Sequence, residues 1–123
     1  MVGNKVLLSI VELGGYPDFT PLYEQAGYRV ITIKTVRKAI QALKKDSPDC
    51  VVAEFNFQSD FRDRTSSLES LLAVVERLPD CRVVVFYEQE YAHQLERLRQ
   101  QHHLHAVLPF PIDTQQLLAA ITI

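Results

Sequence analysis

Cys50-Val51-Val52-Ala53-Glu54-Phe55 is a strand-length run that stays apolar, residue after residue, until it reaches one carboxylate. An apolar run without alternation suits the interior of a parallel sheet covered by helices on both faces. Val6-Leu7-Leu8 within Lys5–Ile10 and Val83-Val84-Val85-Phe86 within Arg82–Tyr87 have the same character. Tyr28-Arg29-Val30-Ile31-Thr32-Ile33 alternates instead, as an edge strand does, and a fifth strand is expected at 105–108. The first, third and fourth strands are therefore expected at the centre.

Helix-period segments separate these runs. Phe19, Leu22, Tyr23 and Ala26 recur at i, i+3, i+4 and i+7, and Gly27 is suited to the left-handed residue that ends a helix. Pro21 lacks a backbone N–H, so this first helix is expected to be short. Thr35 is the expected cap of a second helix with Val36, Ala39, Ile40 and Leu43 on its apolar stripe. Leu68, Leu71, Leu72, Val75 and Leu78 mark a third, and Ala92, Leu95, Leu98 and His102 a fourth. Asp113 should cap a fifth carrying Leu117, Leu118 and Ile121. Right-handed crossovers then give a doubly wound five-stranded parallel sheet of order 2-1-3-4-5 in a three-layer α/β sandwich.

A chain of 123 residues with 47% hydrophobic and 23% charged residues is long and apolar enough for one core, and residues 1–123 read as a single domain. The formal net charge of −2 offers no global attraction to nucleic acid or anionic lipid, so neither is an expected partner. No apolar run approaches the roughly 18 residues of a membrane span. Cys50 and Cys81 each open an apolar strand, where a thiol behaves as a small hydrophobe. With nothing resembling a secretory leader at the N-terminus, the expected compartment is the cytoplasm.

Over essentially its whole length the chain resembles the response-regulator receiver family. The likeness lies in Lys5-Val6-Leu7-Leu8, Glu24-Gln25-Ala26-Gly27-Tyr28, Pro48-Asp49-Cys50-Val51-Val52, the run from His105 through Leu108-Pro109-Phe110-Pro111-Ile112 to Asp113, and Gln116-Leu117-Leu118-Ala119-Ala120-Ile121. The resemblance implies a receiver-like, flavodoxin-like fold with its site at the carboxyl ends of the strands. Family members use an aspartate after strand 3 to accept phosphate, two acidic residues after strand 1 to hold magnesium, a hydroxyl residue after strand 4 and a lysine after strand 5. On this sequence those positions fall on Glu54, on Ile10 and Val11, on Tyr87 and on Phe110, with Glu12 just beyond the acidic pair. Only Glu54 keeps a carboxylate. A neutral Phe110 has no charge to offer a phosphoryl group, and isolated carboxylates make a poor magnesium site.

These substitutions imply a pseudo-receiver that is neither phosphorylated nor an enzyme, needs no cofactor or metal, and works in bacterial-type two-component signalling by binding a protein. Analogy with the family places that contact, or a homodimer, on the helix 4, strand 5 and helix 5 face through Tyr91, Phe110, Leu118 and Ile121. If Glu54 points inward, burial requires a cation or several donors to stabilise its charge. Arg62 or Arg64 from the long segment 56–66, the Tyr87 hydroxyl, and backbone N–H groups are the candidates. A different class of reading makes the chain a flavodoxin-like binder of a small ligand or nucleotide near Gly14, Gly15 and Asn56, although no dinucleotide or P-loop fingerprint is present. His102-His103-Leu104-His105 lacks the spacing of a helical metal pair, and Arg97, Arg99, His102 and His103 suit a helix C-terminus. Lys34, Arg37, Lys38, Lys44 and Lys45 make helix 2 basic.

Overall fold

Strands buried on both faces need two covering layers, and the helix-period segments between them supply both. The computed structural model describes residues 5–45, 47–55, 67–78 and 80–122. In chain order these form β1 (Lys5–Ile10), α1 (Thr20–Gln25), β2 (Tyr28–Ile33), α2 (Val36–Lys45), β3 (Cys50–Phe55), α3 (Ser67–Val75), β4 (Arg82–Tyr87), a 3-10 turn (Gln89–Tyr91), α4 (Ala92–Arg99), β5 (Ala106–Pro109) and α5 (Thr114–Ile121). Every strand pair is parallel and the order is β2-β1-β3-β4-β5, as the hydrophobic patterns require.

The sheet divides the core in two. One layer joins Leu8, Ile10, Val51, Ala53, Phe55, Val83 and Val85 to Val36, Leu43, Leu71, Leu72 and Leu95 of α2, α3 and α4. The other joins Leu7, Cys50, Val52, Val84 and Phe86 to Phe19, Tyr23, Leu117 and Ile121 on the α1 and α5 side. Cys50 and Cys81 are buried free thiols, and burial is the main cause that pushes each up to about 12, so both act as packing atoms. No helix among the described residues is long and apolar enough to cross a membrane.

Local signals explain the element ends. Pro21 sits in the first turn of α1, where its missing N–H has no helical partner to lose, and Gly27 at φ +95° lets the chain reverse into β2. Thr35 Oγ1 accepts from Lys38 N at 3.1 Å, and Asp113 Oδ1 accepts from Gln115 N and Gln116 N at 2.8 and 3.1 Å, so α2 and α5 carry the caps expected of them. Tyr28 donates its hydroxyl to Ile121 O, tying the start of β2 to the end of α5.

Two expectations need correction near β5. Its strand begins at Ala106 rather than at His105, because the His105 ring takes over a ladder bond: Nδ1 accepts from Val83 N at 3.1 Å while His105 N donates to Val83 O. Ala92 is exposed and His102 lies beyond α4, paired with Glu76, so Leu95 and Leu98 are completed by Tyr91 and Leu104.

The His105 acceptor works only while Nδ1 is unprotonated. Burial, then the charges of His103 and Arg82, hold this imidazole below its ordinary value of 6.5. The unfolded chain therefore takes the proton first as pH falls. Stability from this contact is complete above the unfolded value and is lost as pH drops through it toward the lower folded value. Melting temperature is expected to fall as pH is lowered through the ordinary imidazole value of 6.5, and to fall less in His105→Asn, whose amide oxygen accepts without titrating. Equal losses in the two proteins would remove His105 as the cause.

Candidate functional site

Alternation along β3 decides what Glu54 meets. Val51, Ala53 and Phe55 lie in the α2–α3–α4 layer and Cys50 and Val52 in the other, so Glu54 enters the layer covered by α1 and α5. Its register partner across β4 is Phe86. Only 4% of the residue is exposed. A carboxylate this deep, beside an aromatic ring, is tolerated only if donors replace the water it has lost.

The loop after β1 supplies them. Glu54 Oε1 accepts from Leu13 N at 2.9 Å, and Oε2 accepts from Gly14 N at 3.3 Å and from the Tyr16 hydroxyl at 2.6 Å. Two consecutive glycines make this return possible. Gly14 and Gly15 stand at φ +67° and +83°, a left-handed conformation that side chains with a Cβ rarely adopt. The pair turns two successive amides and the following tyrosine back over the sheet edge, forming a small anion-binding concavity.

Tyr16 is held from the other side by aromatic contacts. Its ring lies 5.4 Å from Phe86 edge-on, 5.5 Å from Phe110 and 6.1 Å from Phe19 in a stacked arrangement. Phe19 and Phe110 each pack against Phe86 at 6.0 Å. Such pairs contribute beyond the area they bury. Burial, then the hydrogen bond to Glu54 and its charge, drive the Tyr16 phenol well above its ordinary value, so the hydroxyl remains a donor.

The predicted pocket residues separate accordingly. Phe110 shares the α1–α5 layer with Glu54, and Val11 lies beneath the loop, its Cγ1 3.5 Å from where a Cβ on Gly14 would sit. Ile10 and Tyr87 belong to the opposite layer, which corrects their placement in this pocket; adjacent strand residues cannot share a face, so Phe86 stands where Tyr87 was expected. Glu12 is half-buried and lines an open cleft with α2 residues and Ser70 of α3. Backbone N–H groups, one of the candidate partners of Glu54, are used; Arg62, Arg64 and Asn56 lie outside the described residues.

Tyr16 went unread in the sequence because Leu13-Gly14-Gly15-Tyr16-Pro17 carries no periodicity. The usable signal was an aromatic directly after a glycine pair, at the strand end that faces Glu54. On the predicted partner face, Tyr91 and Phe110 are half-buried and Leu118 is 37% exposed, but Ile121 is fully buried against the sheet and supports that face from within. No group of three or more His, Cys, Asp or Glu among the described residues is arranged to hold a metal ion.

No family model and no curated protein matches this sequence. Solved structures do match it. A response regulator receiver domain protein from Clostridium thermocellum aligns with a TM-score of 0.72 at 15% identity, over 94% of this chain and 90% of that one. The signal receiver domain of a putative LuxO repressor protein from Vibrio parahaemolyticus gives 0.67 at 18% identity, over 95% and 87%. The pilus assembly protein CpaE from Caulobacter crescentus gives 0.64 at 16% identity, over 98% and 92%. The chain has the receiver-domain fold.

Replacing Tyr16 by Phe keeps the aromatic contacts and removes one donor from a buried anion. Such a loss costs about 1–3 kcal/mol. Urea denaturation of Tyr16→Phe should show that decrease with an unchanged denaturant slope, whereas an unaltered midpoint would mean the hydroxyl contributes nothing to holding the loop.

Proposed function

We propose that this chain is a pseudo-receiver: a regulatory module of bacterial-type signal transduction that takes no phosphate and acts by binding a protein, not by catalysis. The observation that carries the reading is that both oxygens of Glu54 already accept hydrogen bonds from the protein's own loop. A nucleophile must present a lone pair to the incoming phosphorus, and a metal-assisted transfer needs ligands and a cation around it. Here Leu13 N, Gly14 N and the Tyr16 hydroxyl already donate to the Glu54 oxygens, and the Tyr16 ring is packed against Phe86 and Phe110.

In this reading Glu54 supplies a fixed negative charge that holds the β1–α1 loop, and with it one arrangement of the strand ends, without a phosphorylation step. The matched solved structures support a signalling context through the names of those proteins, which include a DNA-binding response regulator from Staphylococcus aureus. The contact surface is the α4–β5–α5 side, where Leu118 stands out and Gln89 Nε2 donates to Phe110 O across the β5–α5 loop. For the small-ligand alternative near Gly14, Gly15 and Asn56, the Gly14 amide is already committed to Glu54.

Incubation with acetyl phosphate and magnesium, followed by intact-mass measurement, should give no phosphoryl adduct, and magnesium should leave the melting temperature unchanged. An adduct mapped to Glu54, or stabilisation by the divalent ion that Glu54→Gln abolishes, would overturn the reading.

A further inference from the structure

The basic character of α2 is left unexplained by the Glu54 site. Residues 34–45 hold five of the thirteen Lys and Arg of the chain and none of its fifteen Asp and Glu. The rest of the protein therefore sets eight cations against fifteen carboxylates, so this one segment is opposite in sign to the remainder of the chain.

Helix stability does not account for the pattern. Lys44 and Lys45 in the last turn suit the helix dipole, but Arg37 and Lys38 stand in the first turn, where the dipole disfavours cations and where α2 has no acidic residue. Lys34, Arg37, Lys38, Lys44 and Lys45 are all exposed, and none forms an ion pair among the described residues.

Shape adds the second observation. Arg37, Gln41 and Lys44 follow one another at i, i+4 and i+7 along the rim of an open cleft of about 540 Å³ between α2 and α3. Val36 and Ile40 contribute apolar lining, and Glu12 and Ser70 line the cleft from outside α2. Arg37 and Lys44 are two helical turns apart, about 10 Å along the axis.

We propose that this cleft is a second docking surface, and that its occupant is an acidic amphipathic helix of a protein partner. Carboxylates two turns apart on that helix meet Arg37 and Lys44, and an apolar side chain between them enters against Ile40 and Val36. A long polyanion fits less well, because Glu12 lies in the cleft and the chain outside residues 34–45 carries more carboxylates than cations. This surface is independent of the phosphate question and of the α4–β5–α5 face, so either can fail while the other stands.

The test uses a fluorescein-labelled helical peptide with Glu residues two turns apart flanking a Leu, its Gln-substituted counterpart, a single-stranded DNA oligonucleotide and phosphatidylglycerol vesicles. The acidic peptide is expected to bind saturably and in a salt-sensitive manner, the Gln peptide not to bind, and affinity to drop about tenfold or more in Arg37→Glu/Lys44→Glu. Both substituted residues are exposed, and circular dichroism checks that the variant is folded. Arg97→Glu/Arg99→Glu, on α4, should leave binding unchanged. Absence of saturable peptide binding, equal binding by the α2 variant, equal loss in the α4 variant, or tighter binding of the DNA or the vesicles would each overturn the proposal.

Discussion

A carboxylate withdrawn from water among aromatic rings has to be given hydrogen-bond donors, and the carboxyl edge of this sheet is organised around that requirement. Glu54 sits at the end of a strand whose other residues are all apolar, with Phe86 beside it on β4. Donors come from two main-chain amides and one phenol, so the loop after β1 is shaped by the need to deliver them. The left-handed glycines, the delayed start of α1 and the packing of Tyr16 between Phe19 and Phe110 follow from this one constraint.

The two layers of the core divide the labour. The α2–α3–α4 layer is a conventional aliphatic interior, while the α1–α5 layer grows aromatic toward the carboxyl edge and ends in the Glu54 cluster. Charge is divided as well. Negative charge is spread over most of the chain and also buried at Glu54, whereas positive charge is concentrated on α2 at the opposite face of the sheet.

Most of the architecture was legible in the sequence. Apolar runs identified the central strands, alternation placed β2 at an edge, and the caps at Thr35 and Asp113 marked helix starts, because each of these is set by neighbours in the chain. The site was only half legible. Glu54 stood out as a lone charge, but matching site positions one for one put Ile10 and Tyr87 beside it when strand alternation sends both to the other layer. Tyr16 was missed since its position depends on two glycine dihedrals, and these leave no periodic trace. His105 shifted the start of β5 because a ring nitrogen replaced a backbone acceptor, an exchange that propensity does not register.

Leu13 is 70% exposed, yet its own amide is committed to a buried oxygen. The peptide plane is thus oriented by an interior bond, and the leucine side chain is displayed outward as a by-product of that orientation. Whatever meets this rim of the molecule meets an exposed leucine whose own peptide plane is anchored to a carboxylate beneath the surface.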